Sequence, residues 1–85
     1  MITKYDFKEN EIMLVDLHNM KLWEATLYLT NVVTDAPQEI KEIVVIHGYH
    51  NGKILLNMVR KDFVNNRVKR KVLGLNQGIT SLILN

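Results

Sequence analysis

Eighty-five residues, 47% apolar with one proline, suffice for one folded domain and are too few for two. The absence of cysteine excludes a disulfide scaffold and thiolate metal sites. No apolar run approaches the ~20 residues of a membrane span, and the amino terminus has no signal-peptide character, so the expectation is a cytoplasmic domain with no membrane partner. The net charge of +2 hides an asymmetry: residues 1–52 hold four Lys and Arg against eight Asp and Glu, whereas residues 53–71 hold seven against one.

Residues 1–11 are mixed and charged, which predicts a tail or a short edge segment, with the domain proper over 12–85. Ile12 to His18 reads as an apolar strand ending in polar groups, and Asn19 is placed to cap the helix after it. Leu22, Ala25, Leu29, Val32 and Val33 recur at helical spacing between Met20 and Thr34, and Asp35-Ala36-Pro37-Gln38 stops that helix. Ile43-Val44-Val45-Ile46, an unbroken β-branched run, predicts a strand buried on both faces.

The polar turn His47-Gly48-Tyr49-His50-Asn51-Gly52 then leads into a second helix, with Leu55, Met58, Val59 and Phe63 on one stripe and Asn65-Asn66 at its end. Arg67 to Leu75 reads as a strand, Asn76-Gln77-Gly78 as a turn, and Ile79 to Leu84 as the last strand, with Thr80, Leu82 and Leu84 on one face. The order is β-α-β-α-β-β, an α/β arrangement.

Strand, glycine-bearing turn and helix in that order can serve phosphate, because the first amides of a helix lack internal partners and glycine lets backbone approach closely. The amides of Gly48 to Lys53 and the Lys53 ammonium are the candidates, with Tyr49, His50, Asn51 and Gly52 completing the turn. The same pattern also occurs as a plain structural turn, and His50 taken alone reads as an exposed residue without a task. Lys53, Arg60, Lys61, Arg67, Lys69, Arg70 and Lys71 form a basic run that suits a polyanion, or simply keeps a helix face and an edge strand soluble.

Strands joined through a helix prefer to lie parallel, with a right-handed crossover that puts their carboxyl ends side by side. That places Asp16 and His18, which share a face, near His47. A carboxylate, two imidazoles, helix amides and a lysine are the components of phosphodiester cleavage: base, acid, orienting group and charge stabilisers. Each residue also has a structural reading, Asp16 as a cap and the histidines as satisfied core groups. Asp16, His18, His47 and His50 are of types that bind divalent metals, but no local spacing marks a site, so no metal or other cofactor is assigned.

The chain resembles the small MutS-related, or Smr, domain over about Ile12 to Leu84. The family's Leu-Asp-Leu-His-Gly is matched by Val15-Asp16-Leu17-His18-Asn19, its His-Gly-x-Gly-x-Gly by His47-Gly48-Tyr49-His50-Asn51-Gly52 with Leu55 and Arg60 beyond, and its closing motif by Gly78, Thr80, Leu82 and Leu84. Asn19 and His50 stand where the family has glycine. The resemblance implies an α+β two-layer sandwich, a mixed four-stranded sheet with two helices on one face, similar to the carboxyl-terminal domain of the third translation initiation factor. It implies nucleic-acid binding with endonuclease activity, nicking DNA or cleaving RNA, in some members on ribosomes, with Asp16, His18, His47 and Gly48 as the matching site residues.

The leading expectation is therefore a monomeric endonuclease domain for RNA or structured DNA, with His18 and His47 exchanging protons with the substrate and Asp16 orienting one ring. A second is a non-catalytic adaptor docking on RNA, DNA or the ribosome through residues 53–71. A third is a domain whose role lies in assembly with a partner protein.

Overall fold

The computed structural model describes residues 4–5 (backbone only), 11–49 and 53–85. His50, Asn51 and Gly52 lie outside the described residues, as do residues 1–3 and 6–10 of the amino-terminal segment. In chain order the elements are β1 (Lys4–Tyr5), β2 (Ile12–Asp16), α1 (Leu22–Asp35), β3 (Glu42–Ile46), α2 (Ile54–Asn57) continuing as a π-helical turn (Met58–Asp62), β4 (Val68–Leu73) and β5 (Ile79–Leu84).

The strands lie in the order β1-β2-β3-β5-β4. β2 and β3 are parallel, as their connecting helix requires, and β3-β5 and β5-β4 are antiparallel. The result is a mixed four-stranded sheet, to which the two-residue β1 adds an antiparallel edge against Met13 and Leu14 of β2.

One core explains the layering. Met13, Val15 and Leu17 from the first long strand, Ile43 and Val45 from β3, and Leu82 and Leu84 from β5 are buried together with Ala25, Leu29 and Val33 of α1 and Met58, Val59 and Phe63 from the second helical segment. Both helical segments therefore cover the same sheet face. The other face carries Ile12, Leu14, Val44, Ile46, Ile79 and Ile83, all half-buried.

This corrects the expectation for β3. Its β-branched run is buried only at Ile43 and Val45, because no helix among the described residues covers the side on which Val44 and Ile46 project.

Three boundaries also differ from expectation. Asn19 does not cap α1; it lies outside the helix at φ 70°, the left-handed region that asparagine tolerates better than most residues, and the helix begins at Leu22 with Glu24 Oε1 accepting from the Lys21 amide at 3.4 Å. The second helical segment ends at Asp62 rather than Asn65, in a π-turn closed by the Phe63 amide donating to the Met58 carbonyl at 2.7 Å. That wider turn lets Met58, Val59 and Phe63 all reach the core. β4 spans Val68–Leu73, shorter than the expected 67–75, with an irregularity between Val68 and Arg70.

Arg67, excluded from β4, has a different task. Its Nη1 donates to the carbonyls of Val33 (3.1 Å), Thr34 (3.4 Å) and Ala36, satisfying the orphan acceptors at the carboxyl end of α1. A cation there also complements the helix dipole.

Candidate active site

The site forms where β2 and β3 end side by side. The Leu17 amide donates to the Ile46 carbonyl at 2.7 Å, extending the parallel ladder one residue past β2, and Leu17 is fully buried. By strand alternation Asp16 then faces away from the core, half-buried, and the chain turns at His18 and Asn19.

One oxygen of Asp16 holds His18 twice. Oδ1 accepts from the His18 backbone amide at 3.0 Å and from the ring Nδ1–H at 2.5 Å. A carboxylate on Nδ1 fixes the ring's orientation and its tautomer, leaving Nε2 as the nitrogen for outside chemistry. The His18 side chain is 54% exposed, and no described residue bonds to Nε2.

His47 is in the opposite condition. It follows Ile43 and Val45 on the core-facing side of β3, and it is only 3% exposed. Its Nδ1 lies 2.9 Å from the Gly48 carbonyl, which can only accept, so Nδ1 carries the proton. Nε2 then accepts from the Thr80 hydroxyl at 2.8 Å, and Thr80 Oγ1 in turn accepts from Arg60 Nε–H at 2.7 Å. Burial holds the His47 pKa below the ordinary 6.5; the Gly48 carbonyl opposes that shift and the Arg60 charge adds to it. In this arrangement His47 is a neutral ring with both nitrogens committed.

Glycines 48 and 78 bring the chain just after β3 against the turn just before β5. Gly48 adopts φ 71°, and a Cβ there would lie 3.7 Å from the Cβ of His18. On its other side is Gly78, where a Cβ would meet Asn76 Oδ1 at 3.2 Å and the Gly48 Cα at 3.4 Å. The Gly78 carbonyl accepts from the amides of both His47 (2.9 Å) and Gly48 (3.0 Å). The Gly48 amide, expected to face a phosphate, is therefore taken by the β4-β5 turn.

The seven expected cations also divide. Arg60 spends Nε on Thr80 and Nη2 on the carbonyls of Ile79 (3.0 Å) and Asn76 (3.4 Å). Arg67 serves the far end of α1, and Lys71 Nζ donates to the Phe63 carbonyl at 2.7 Å, its pKa lowered by burial against the opposing effect of Asp62. Lys53, Lys61, Lys69 and Arg70 are exposed. Of these, Lys53 immediately precedes the helical segment whose Ile54 and Leu55 border the site.

Beside His18 opens a cavity of about 550 Å³, within the ~300–1,000 Å³ typical of small-molecule sites. It is shared by His18 and His47 and walled largely by Met20, Leu22, Tyr49, Ile54 and Leu55. The sequence places the two histidines, Gly48 and Tyr49 here, but not the walls formed by Met20, Leu22, Ile54 and Leu55 nor the pairing of Arg60 with Thr80. Thr80 was findable: it shares a strand face with Leu82 and Leu84, and it pairs with Val45, two residues before His47. Among the described residues no group of three or more His, Cys, Asp or Glu is gathered for a metal, and no helix is long and apolar enough to cross a membrane.

Among solved structures, the chain is similar to the Smr domain of Thermus thermophilus MutS2, with a TM-score of 0.75 and 20% identity, over 85% of this chain and 96% of that one. No protein-family model matches the sequence, and no curated protein matches it. At that identity the likeness establishes the fold, which is the Smr-domain fold that the sequence motifs implied.

Proposed function

We propose that this Smr-fold chain binds nucleic acid and cleaves phosphodiester bonds with His18 as its proton-transfer group and Asp16 as the residue that positions it. The observation that carries this reading is the 2.5 Å Asp16–His18 bond on a ring that is 54% exposed at the mouth of a cavity. A surface histidine without a task has no need of a fixed tautomer; a general base does. On RNA, His18 Nε2 takes the proton of the 2′-hydroxyl and the 2′-oxygen attacks phosphorus. The bond to the 5′-oxygen then breaks, and that oxygen takes a proton from water. The imidazolium returns its proton to the hydroxide so formed, leaving a cyclic phosphate and a 5′-hydroxyl. On DNA the same imidazole would activate water. Lys53 supplies a mobile cation for the phosphate oxygens.

In this proposal His47 holds the end of β3 in place rather than exchanging protons with substrate. Its committed nitrogens also support the second reading, a nucleic-acid adaptor without turnover, because only one imidazole in the described site is open to solvent.

The two readings separate in one experiment, in which wild type, Asp16→Asn and His18→Ala are incubated with a structured RNA and with supercoiled plasmid while affinity is measured in parallel. Cleavage should fall about 10²–10⁴-fold in His18→Ala, the usual contribution of general acid–base catalysis, with affinity nearly unchanged. Binding without cleavage by the wild type would establish the adaptor.

A further inference from the structure

We infer that the cavity beside His18 receives an unpaired nucleobase next to the phosphate, so that the substrate is single-stranded or flipped-out nucleic acid rather than intact duplex. The inference rests on the reading of His18 as the phosphate-facing group and specifies what that site takes.

The chemistry of the walls points to a base. A site built for the duplex backbone presents cations along the surface, yet none of the seven cations of residues 53–71 is among the residues that line this cavity. The space adjoining His18 is instead bordered by aliphatic Leu22, Ile54 and Leu55 and by the ring of Tyr49. Leu22 and Ile54 are 48% and 63% exposed, which leaves their apolar surface available at the rim. Bases satisfy such walls because every base has an apolar π-face, whereas sugars and phosphates do not.

Charge separates a nucleotide from an apolar peptide side chain as the occupant. Among the described lining residues there is no carboxylate, and the one full charge is the ammonium of Lys21. Lys53 lies next in sequence to Ile54, so the chain on both sides of the rim carries a cation. A ligand with an apolar plane and an attached anion matches this combination. A base inside a duplex keeps both faces in the stack and cannot enter such a cavity, so the strand must be unpaired there.

The test is fluorescence anisotropy at low salt with three probes of equal length: an oligouridylate, a ribose-phosphate oligomer lacking bases, and a blunt RNA duplex. The oligouridylate should bind roughly 5- to 150-fold more tightly than the abasic oligomer, the range that stacking of one base supplies. Leu22→Ala and Ile54→Ala, changes at exposed positions that leave charge alone, should each lower oligouridylate affinity toward that of the abasic oligomer. Equal affinity for the oligouridylate and the abasic oligomer, or tighter binding of the duplex, overturns the inference while leaving the proposed nuclease reading intact. If none of the three binds, that reading falls and the inference with it. Displacement of the oligouridylate by an apolar, uncharged peptide would assign the cavity to a protein partner and overturn the inference as well.

Discussion

The hydroxyl of Thr80 donates to the Nε2 of His47 at 2.8 Å, tying the carboxyl end of β3 to β5 through two buried side chains. Arg60 extends the chain from the second helical segment, so three elements meet at one oxygen. Thr80→Val keeps the shape of the side chain but leaves His47 Nε2 and Arg60 Nε without that partner. An orphaned buried polar group costs ~1–3 kcal/mol. Each kcal/mol lowers the melting temperature of a domain of this size by roughly 4–8 °C. Thermal unfolding should show that loss for Thr80→Val and little for Thr80→Ser, which retains the hydroxyl.

The same network makes stability depend on pH. Burial holds the His47 pKa below 6.5, so between that lowered value and 6.5 the unfolded chain binds a proton that the folded chain refuses. The contribution is therefore fully present above about pH 6.5 and is lost as pH falls through the window beneath it. Urea midpoints should decline on acidification below that point. In His47→Gln the decline over this window should be shallower, although the variant is less stable throughout.

Two left-handed positions test backbone cost against side-chain contact. A β-carbon at Gly48 would lie at ordinary van der Waals distance from His18, so Gly48→Ala loses stability through conformation alone, about 1–2 kcal/mol. At Asn19, φ 70° is already occupied by a residue that tolerates it. Asn19→Gly should change stability by less than about 1 kcal/mol, whereas Asn19→Val, β-branched, should cost more. Calorimetry on the three variants checks the order.

Much of this was legible in the sequence because strands and helices have different periods. An apolar run ending in polar groups located β2, period two gave the buried face of β5, and the β-α-β order fixed the parallel pair that brings Asp16, His18 and His47 to one end of the sheet. The motifs implied the Smr-domain fold that the comparison bears out. What stayed hidden depended on which face the helices cover. An apolar run such as Ile43 to Ile46 looks the same whether one face is buried or two. The alternation that buries Val45 also buries His47, so the turn's first residue belongs to the core as much as to the site. Charge counts likewise record Arg60 and Arg67 without the carbonyls that hold them.

Those two arginines allow stability and binding to be separated. Arg67→Gln removes donors from the carboxyl end of α1 and should lower the melting temperature, while the salt dependence of nucleic-acid affinity stays as in wild type. Lys53→Gln, at an exposed residue, should do the reverse: stability unchanged, affinity reduced and the salt slope shallower by about one phosphate contact. Titrations at several salt concentrations distinguish the pair.

The most direct measurement is single-turnover cleavage of an oligoribonucleotide by the wild type, His18→Gly and His47→Gln, each at saturating protein, with and without added free imidazole. If His18 is the proton-transfer group, His18→Gly is slowed by about 10²–10⁴-fold and partly restored by imidazole, while His47→Gln, once allowance is made for its folded fraction, cuts far faster than His18→Gly and gains nothing from imidazole. Wild-type cutting by His18→Gly, or imidazole rescue confined to the His47 variant, would contradict that assignment.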